Sequence, residues 1–181
     1  MPTLPPVFRQ AFCVSPVVER AYLSSNGITG KFFLNHHREN PMRHQDNCVF
    51  CKIVRRQIPA DKVYEDELTM AFMDIRPANE GHTLVIAREH FENLLDIDEP
   101  TLAAVAVTSQ RIALAIHKAL QPDGIRVSQF NGAAAGQSVF HYHLHIVPVR
   151  AGQQIGSHGR RPGNPAAIKQ VAEKIRAALA G

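Results

Sequence analysis

The sequence predicts an α+β fold: a mainly antiparallel five-stranded sheet with a long helix and a C-terminal helix. Two observations predict this class. Short segments rich in β-branched and aromatic residues, joined by brief polar links, dominate the middle of the chain, and segments with helical periodicity flank them. The 181 residues provide enough chain for one domain with a hydrophobic core, and 45% of them are hydrophobic.

The first half of the predicted domain contains a short helix, a hairpin and a buried strand. Phe50, Ile53 and Val54 have the spacing of a short amphipathic helix that ends near residue 58. Two alternating segments on either side of a polar turn form the hairpin, and a β-branched segment after a loop containing Pro and Gly forms the buried strand. These three strands are Lys62–Glu65, Leu68–Asp74 and His82–Ala87.

The second half is built around the long helix. We expect Asp98 or Glu99 as its N-cap, Pro100 in its first turn and an end near Leu120, before a Pro-Asp-Gly segment. Its apolar stripe is Leu102, Val105, Ile112 and Ile116. The elements that follow are strand Ile125–Phe130, loop Asn131–Gly136, strand Val139–Val149 and a helix capped by Asn164-Pro165.

Residues 1–45 differ from the rest of the chain. They alternate short apolar pieces with Pro, Ser, Asn and Gly, so we expect poor order there, ahead of a domain at 46–150 and a loop and helix at 151–181 that pack on it. A targeting peptide is an alternative, although two glutamates and the prolines interrupt an amphipathic basic helix. Another is that the functional chain starts near Met42.

The charge distribution argues against nucleic-acid and membrane partners. Residues 1–45 hold five Lys/Arg against two Asp/Glu, which leaves fifteen against fourteen in 46–181, so the formal net charge of +4 comes mostly from the N-terminal segment. No apolar run reaches the roughly 18 residues of a membrane span. Three cysteines are too few for a disulfide framework, and we expect a cytoplasmic protein.

Three histidines alternate with apolar or aromatic residues in the last predicted strand. His141, His143 and His145 share one face of an ideal strand, about 6.6 Å apart, while the residues between them can pack on a helix. That spacing suits a nucleophile supported by its neighbours, and a metal-binding face is the alternative. The preceding Gly136-Gln137-Ser138 brings a glycine, an amide and a hydroxyl that could approach an anion closely.

Cys48 and Cys51 form a C-x-x-C pair at the start of the predicted short helix. Two thiolates in one tight turn are half of a zinc site, which a pair of histidines would complete. A redox motif and two buried structural cysteines are the alternatives, but no thioredoxin-like βαβ pattern surrounds the pair.

The segment Ala135–Val147 resembles the signature of the histidine triad (HIT) family of nucleotide hydrolases and transferases. Upstream, Tyr64–Glu67, Ala71–Ile75 and Gly81–His90 are similar to the first half of that family in the right order. The resemblance covers about residues 46–150 and favours the branch with purine nucleoside phosphoramidase activity. It implies a HIT-like fold and a purine nucleotide or nucleotidyl conjugate as ligand.

The resemblance also implies a role for each residue of the motif. The implied catalytic residues are the nucleophile His143, its supporting histidines His82 and His145, and Ser138, with either Ser138 or a neighbouring imidazole as the proton relay. The implied nucleotide-binding residues are Asp74 for the ribose, Phe72 and Ile75 for the base, and Asn131, Gly136, Gln137 and Ser138 for the phosphate. The implied ligands of a structural zinc ion are Cys48, Cys51, His90 and His141, and no organic cofactor is implied.

The expected reaction is attack by His143 on the α-phosphorus of a nucleoside 5′-phosphoramidate or related conjugate, followed by hydrolysis of a nucleotidyl-histidine. A dinucleoside polyphosphate hydrolase is one alternative, since the ending Val147–Arg150 is somewhat like that branch. A nucleotide-binding regulatory protein with incidental turnover is another. The family further implies a homodimer, with helix 102–120 as an interface element, although a stripe buried within one chain would look the same.

Overall fold

The sheet has five strands in the order β1-β2-β3-β5-β4, and every neighbouring pair is antiparallel. The computed structural model describes residues 43–153 and 161–181. Poor order was expected for residues 1–45, and all of these up to residue 42 lie outside the described residues. The elements are α1 Val49–Val54, β1 Lys62–Glu65, β2 Thr69–Met73, β3 Thr83–Ala87, α2 Glu99–Leu120, β4 Gly124–Ser128, β5 His143–Val149 and α3 Pro165–Ala180. The predicted fold class is confirmed.

Both faces of the sheet are covered, because alternate strand residues point to opposite sides. One face packs on α2 and α3, and its buried residues include Ala71, Val85, Ile146, Ile112, Ile116 and Ile175. The other packs on α1 and includes Met70, Phe72, Leu84, Ile86, Phe50 and Val54. Burial of each large apolar side chain of this kind contributes about 1.5–3 kcal/mol, so the short helix α1 is stabilised mainly by what it covers.

Local hydrogen bonds form the caps and turns that the sequence predicts. Asp98 caps α2 by accepting a hydrogen bond from the backbone N–H of Thr101, and Pro100 lies in the first turn. In the hairpin, the Asp66 carboxylate accepts the backbone N–H groups of Leu68 and Thr69. These bonds satisfy donors that the ends of the elements leave unpaired.

The last strand is shorter than predicted, because it begins at His143 rather than Val139. Pairing with β3 ends at Ile86 opposite His143, since the next carbonyl of β3, that of Ala87, accepts the ring N–H of His141 instead. His141 therefore lies in a bend outside the sheet, so an ideal strand describes only His143 and His145. The intervening Leu144 packs toward the helices as predicted.

The C-terminal helix begins against the loop that follows β2. Asn164 caps it, as predicted, by accepting the backbone N–H groups at 166 and 167. The N–H of Gly163 donates to the carbonyl of Ile75, and an added Cβ on Gly163 would lie 2.9 Å from the Pro77 ring. The contact therefore requires glycine. Among the described residues, no helix has the length and apolarity needed to cross a membrane.

Candidate active site and metal cluster

A cleft on the α1 side of the sheet holds most of the residues expected to bind a nucleotide. Its volume is about 250 Å³. The side chains expected from the sequence that line it are Phe72, Asp74, Ile75, Ser138, His143 and His145. Apolar groups surround most of the cleft, and they include Val49, Phe50, Ile53, Pro59, Leu84 and Val139. Such a wall with a few polar groups is typical of a site for a planar organic ring and a polar tail.

The ring of His143 is held in one orientation at the floor of this cleft. It is 5% exposed, and its Nδ1 lies 2.5 Å from the backbone oxygen of His141. A carbonyl oxygen only accepts, so Nδ1 must carry the proton. In the neutral ring the lone pair is therefore on Nε2.

His145 and His82 form a hydrogen-bonded pair next to His143. The rings of His143 and His145 lie 4.8 Å apart, and His145 Nδ1 is 3.0 Å from His82 Nε2. The backbone N–H of Ala78 donates to His82 Nδ1, so in neutral His82 the proton is on Nε2 and is donated to His145. Asp74 Oδ2, 3.3 Å from His82 Nδ1, would stabilise a positive charge on that ring.

Phe50 is a site residue that the sequence did not assign. Its ring packs edge-on against His143 at 5.2 Å and against Phe72 at 5.4 Å, so α1 forms one wall of the cleft. The available signal was its place on an amphipathic helix between two cysteines. That pattern indicates burial without indicating which neighbour the ring touches.

Three residues expected at the phosphate do not line the cleft. The Gln137 amide is buried and bonded to main chain: its oxygen accepts the N–H of Gly132, and its nitrogen donates to the carbonyls of Glu92 and Val139. Asn131 accepts the backbone N–H of Leu94. Gly136 has φ +96°, which favours glycine. These contacts shape the loop before the histidines, and contact with phosphate stays a prediction.

The four residues expected as zinc ligands form one buried cluster. The thiol and imidazole ligand atoms of Cys48, Cys51, His90 and His141 all lie within 4.8 Å of one another. Cys48 Sγ is 3.4 Å and Cys51 Sγ is 3.6 Å from His141 Nδ1, and Cys51 Sγ is 3.3 Å from His90 Nδ1. No disulfide joins Cys48 and Cys51.

The geometry of the cluster fits a tetrahedral zinc ion. Zn–S bonds of about 2.3 Å and Zn–N bonds of about 2.0–2.1 Å separate sulfur from nitrogen by about 3.5 Å in a tetrahedron. The three short distances agree with that value. His141 Nε2–H donates to the carbonyl of Ala87, which leaves Nδ1 as the ligand atom.

Burial shifts the pKa of three of the four cluster residues. Desolvation lowers the pKa of His141 to about 4 and also lowers the pKa of His90. Desolvation raises the pKa of the Cys51 thiol to about 11, with a smaller opposing effect from the backbone N–H of Gln45. Neutral imidazoles are ready ligands, whereas the Cys51 thiol needs a nearby cation before it loses its proton.

Comparisons with known proteins agree with this architecture. Residues 55–152 match the family model described as HIT domain. A Bacillus subtilis protein named Protein hit is 46% identical over 103 residues, which are 57% of this chain and 71% of that protein. The adenylylsulfatase HINT3 of Arabidopsis thaliana is 40% identical over 104 residues, which are 58% of this chain and 53% of that protein.

A solved structure extends the likeness to three dimensions. The crystal structure of a zinc-bound histidine triad family protein from Mycobacterium smegmatis superposes with a TM-score of 0.67 at 42% identity. The match covers 74% of this chain and 94% of that one. The family model, these relatives and the shared fold lead to one conclusion: the chain belongs to the HIT domain family.

Proposed function

We propose that this chain is a nucleotide hydrolase that cleaves nucleoside 5′-phosphoramidates or related nucleotidyl conjugates through a nucleotidyl-histidine at His143. The observation that carries the proposal is the bond from His143 Nδ1–H to the His141 carbonyl. It places the lone pair on Nε2 of a ring that lines the cleft. A neutral imidazole in that state is a competent nucleophile near pH 7.

In this proposal, different lining residues of the cleft bind the base, the ribose and the phosphate of a nucleotide. The base lies between the apolar groups contributed by Phe72 and Ile75, and the ribose hydroxyls bond to Asp74. The α-phosphate then lies beside Ser138 and His143, which line the same cleft. Positioning of this kind supplies much of the rate enhancement in transfers at phosphorus.

The reaction has two displacement steps. His143 Nε2 attacks the α-phosphorus, the bond from phosphorus to the substrate nitrogen breaks, and the leaving nitrogen takes up a proton and departs as an amine. Water then attacks phosphorus and gives a proton back to the group that protonated the amine, the bond to His143 breaks, and the nucleoside 5′-monophosphate and neutral His143 are released. The bond from Nδ1–H to the carbonyl stabilises the positive charge on the ring between the steps.

The leaving amine takes its proton from a group beside His143. Ser138 and His145 both line the cleft and carry protons. His145 connects through His82 to Asp74, so a carboxylate supports positive charge along this chain of rings. General acid catalysis by such a group typically contributes 10²–10⁴-fold.

A substrate panel with intermediate trapping tests the proposal. The purified chain is mixed with adenosine phosphoramidate, adenylyl sulfate and diadenosine polyphosphates, quenched rapidly and examined by mass spectrometry for an adenylyl group on His143. HINT3, named as an adenylylsulfatase, supports including the sulfate. Preferred cleavage of polyphosphates would support the dinucleoside polyphosphate alternative. AMP binding without turnover on any substrate would support a regulatory role and contradict the proposal.

We also propose that the four-residue cluster binds structural zinc. Its support is the donor set and spacing of Cys48, Cys51, His90 and His141, together with the zinc-bound relative. A closed site with four protein ligands stabilises a fold and leaves no position for substrate. Metal analysis of protein purified without chelator should give about one zinc per chain, and less than a tenth of that would contradict this part.

A homodimer completes the proposal. Helix α2 exposes Val107 and Leu114, which are seven residues apart and therefore share a face, and the edge strand β4 exposes Val127. Exposed apolar side chains on a helix face and on an edge strand fit a surface that a second copy of this chain could cover. Light scattering should give twice the chain mass for the wild type and the chain mass for Leu114→Glu. A monomeric wild type would contradict the dimer.

A further inference from the structure

We propose that Gly163, just before helix α3, is a positioning residue for nucleotide recognition: it holds the loop after β2 in the arrangement that presents Asp74 to the ribose. This inference rests on the proposed function, because that proposal assigns the ribose hydroxyls to Asp74. It adds that a residue far along the chain, which does not itself line the cleft, sets the affinity for ribose.

Gly163 touches the loop at two points. Its N–H donates to the carbonyl of Ile75 at 2.9 Å. It also faces the ring of Pro77, because a Cβ added to Gly163 would lie 2.9 Å from one ring carbon and 3.1 Å from another. Both distances are shorter than an ordinary contact between carbon atoms. The backbone of Gly163 does not have a positive φ, so this contact alone excludes a side chain there.

Helix α3 gives this contact a fixed support. Its first turn is capped by Asn164, the residue after Gly163, and its side chains Val171 and Ile175 are buried in the core. The Arg176 side chain also donates to the carbonyl of Lys62 in β1 at 2.7 Å. A clash at Gly163 is therefore relieved by movement of the exposed loop rather than by movement of the packed helix.

Asp74 depends on the same loop for its orientation. Its Oδ1 accepts the N–H of Arg76 at 2.7 Å, and Arg76 lies between the two loop residues that Gly163 touches. Its Oδ2 lies 3.3 Å from His82 Nδ1, and its backbone N–H donates to the carbonyl of His82. Each carboxylate oxygen has a second lone pair that can accept a ribose hydroxyl. A displaced loop therefore turns the Oδ1 side of the carboxylate, while the backbone bond keeps Asp74 beside His82.

A small cavity separates Asp74 from helix α3. Its volume is about 110 Å³, and its lining includes Met73 and Asp74 on one side and Gly163, Ala167 and Ile168 on the other. Asp74 lines this cavity as well as the nucleotide cleft, so its carboxylate lies between the two spaces. Space behind the carboxylate leaves its position to the hydrogen bonds of the loop rather than to close packing.

The test compares the full-length wild type with Gly163→Ala, Pro77→Ala, the double variant and Gly124→Ala. Gly124 is the matched control, because a Cβ added there meets no atom of the described residues within 4 Å and the position does not line the cleft. The readouts are the affinities for AMP and for 2′,3′-dideoxy-AMP, kcat and KM with adenosine phosphoramidate, the amide NMR shift of Arg76, and thermal unfolding.

We expect wild type and Gly124→Ala to bind AMP about 10-fold more tightly than 2′,3′-dideoxy-AMP, because hydrogen bonds to a charged group contribute at least that much. In Gly163→Ala this preference should disappear. AMP affinity should fall and KM should rise about 10-fold, whereas dideoxy-AMP affinity and kcat should stay within about threefold of wild type. The Arg76 amide should shift, because its acceptor on Asp74 moves with the loop.

Pro77→Ala examines the same contact from the other side. Alanine lacks the two ring carbons that an added Cβ on Gly163 would meet, and the remaining close atom is the flexible end of Ile168. The loop loses support without a clash, so the ribose preference should fall about threefold. In this background Gly163→Ala should change AMP affinity less than about twofold, since the clash is gone.

Several results would overturn the positioning role. They are a wild type that binds AMP and dideoxy-AMP equally, an unchanged preference in folded Gly163→Ala, and an equal loss in Gly124→Ala. If Gly163→Ala did not fold, an unchanged preference in Pro77→Ala would overturn it. A shifted Arg76 amide in a chain that binds no nucleotide would instead overturn the proposed function and leave the link between α3 and the loop intact. The two failures are therefore distinguishable.

Discussion

Two histidines that are two residues apart, His141 and His143, bear the proton on opposite ring nitrogens. The ring N–H of His141 is on Nε2 and donates to the carbonyl of Ala87, whereas the ring N–H of His143 is on Nδ1 and donates to the carbonyl of His141. A single backbone acceptor sets each tautomer. The first ring thereby presents Nδ1 to two thiols, and the second carries its lone pair on Nε2.

The surroundings of the two rings differ in the same way. His141 is fully buried beside Cys48, Cys51 and His90, and the ligand atoms of these four residues lie within 4.8 Å of one another. His143 forms part of the lining of an apolar cleft. The comparison teaches that spacing along a strand does not assign the role of a histidine. That role depends on the hydrogen-bond partner of the ring and on whether the ring lines a cleft.

The largest expected effect separates the nucleophile from every other histidine. His143→Gln should lower turnover of adenosine phosphoramidate by about 10³-fold or more, because the attacking nitrogen is removed, while AMP affinity stays within a few-fold. Steady-state kinetics and calorimetry measure the two quantities. His117→Gln, at an exposed position in α2, is the control and should behave as wild type. Comparable turnover in His143→Gln would refute the assignment.

The next effect concerns the cluster of Cys48, Cys51, His90 and His141, which we propose binds zinc. Cys51→Ser should lose zinc and melt roughly 10 °C or more below wild type, since a structural metal contributes directly to folding free energy. Metal analysis and thermal unfolding test this. Cys13→Ser removes the third cysteine and should retain both zinc and melting temperature. Equal melting temperatures for Cys51→Ser and Cys13→Ser would mean that the cluster does not stabilise the fold.

A smaller effect tests the support behind the nucleophile. His82→Gln should lower kcat about 10²-fold, because the path from His145 to Asp74 is interrupted, with zinc content unchanged. Single-turnover rates and metal analysis on the same sample check it. Loss of zinc in this variant would mean that the two sites are not separate in the way the structure indicates.

The smallest effect provides a reference outside both sites. Burial opposes ionisation of Asp66, but hydrogen bonds from Thr69, Tyr64 and Leu68 lower its pKa below the ordinary 3.8. A pKa lowered in the folded state stabilises the fold above the unfolded pKa, and this stabilisation is lost as pH falls through the folded value. Asp66→Asn should therefore cost about 1 kcal/mol at pH 7 and less at pH 3.

Urea unfolding at the two pH values measures that difference. The neighbouring exposed Glu67→Gln is the control and should change stability little at either pH. Both variants should retain zinc and turnover. A pH-independent loss in Asp66→Asn would mean that the carboxylate charge does not matter there.

Local elements were predictable because their causes are local. The cap Asp98 and the strand Lys62–Glu65 lie where the sequence places them. The start of β5 was not predictable, since it depends on the Ala87 carbonyl, 54 positions before His141, being taken by that ring. The Gln137 amide was assigned to phosphate from its motif, but it bonds to Glu92 across two loops. Contacts between distant segments leave no periodic signal.

The sequence by itself determined the α+β class and the family, and it singled out the histidines and cysteines as candidate site residues. Periodicity, caps and a long motif could show this because they depend on neighbours in the chain. Only the tertiary structure decided which histidine lies in the cysteine–histidine cluster and which lines the cleft. It brings Cys48 and Cys51 onto His141, places Phe50 against His143, and chooses a carbonyl for each ring. A tautomer depends on one hydrogen bond at about 3 Å, and only folding provides that partner.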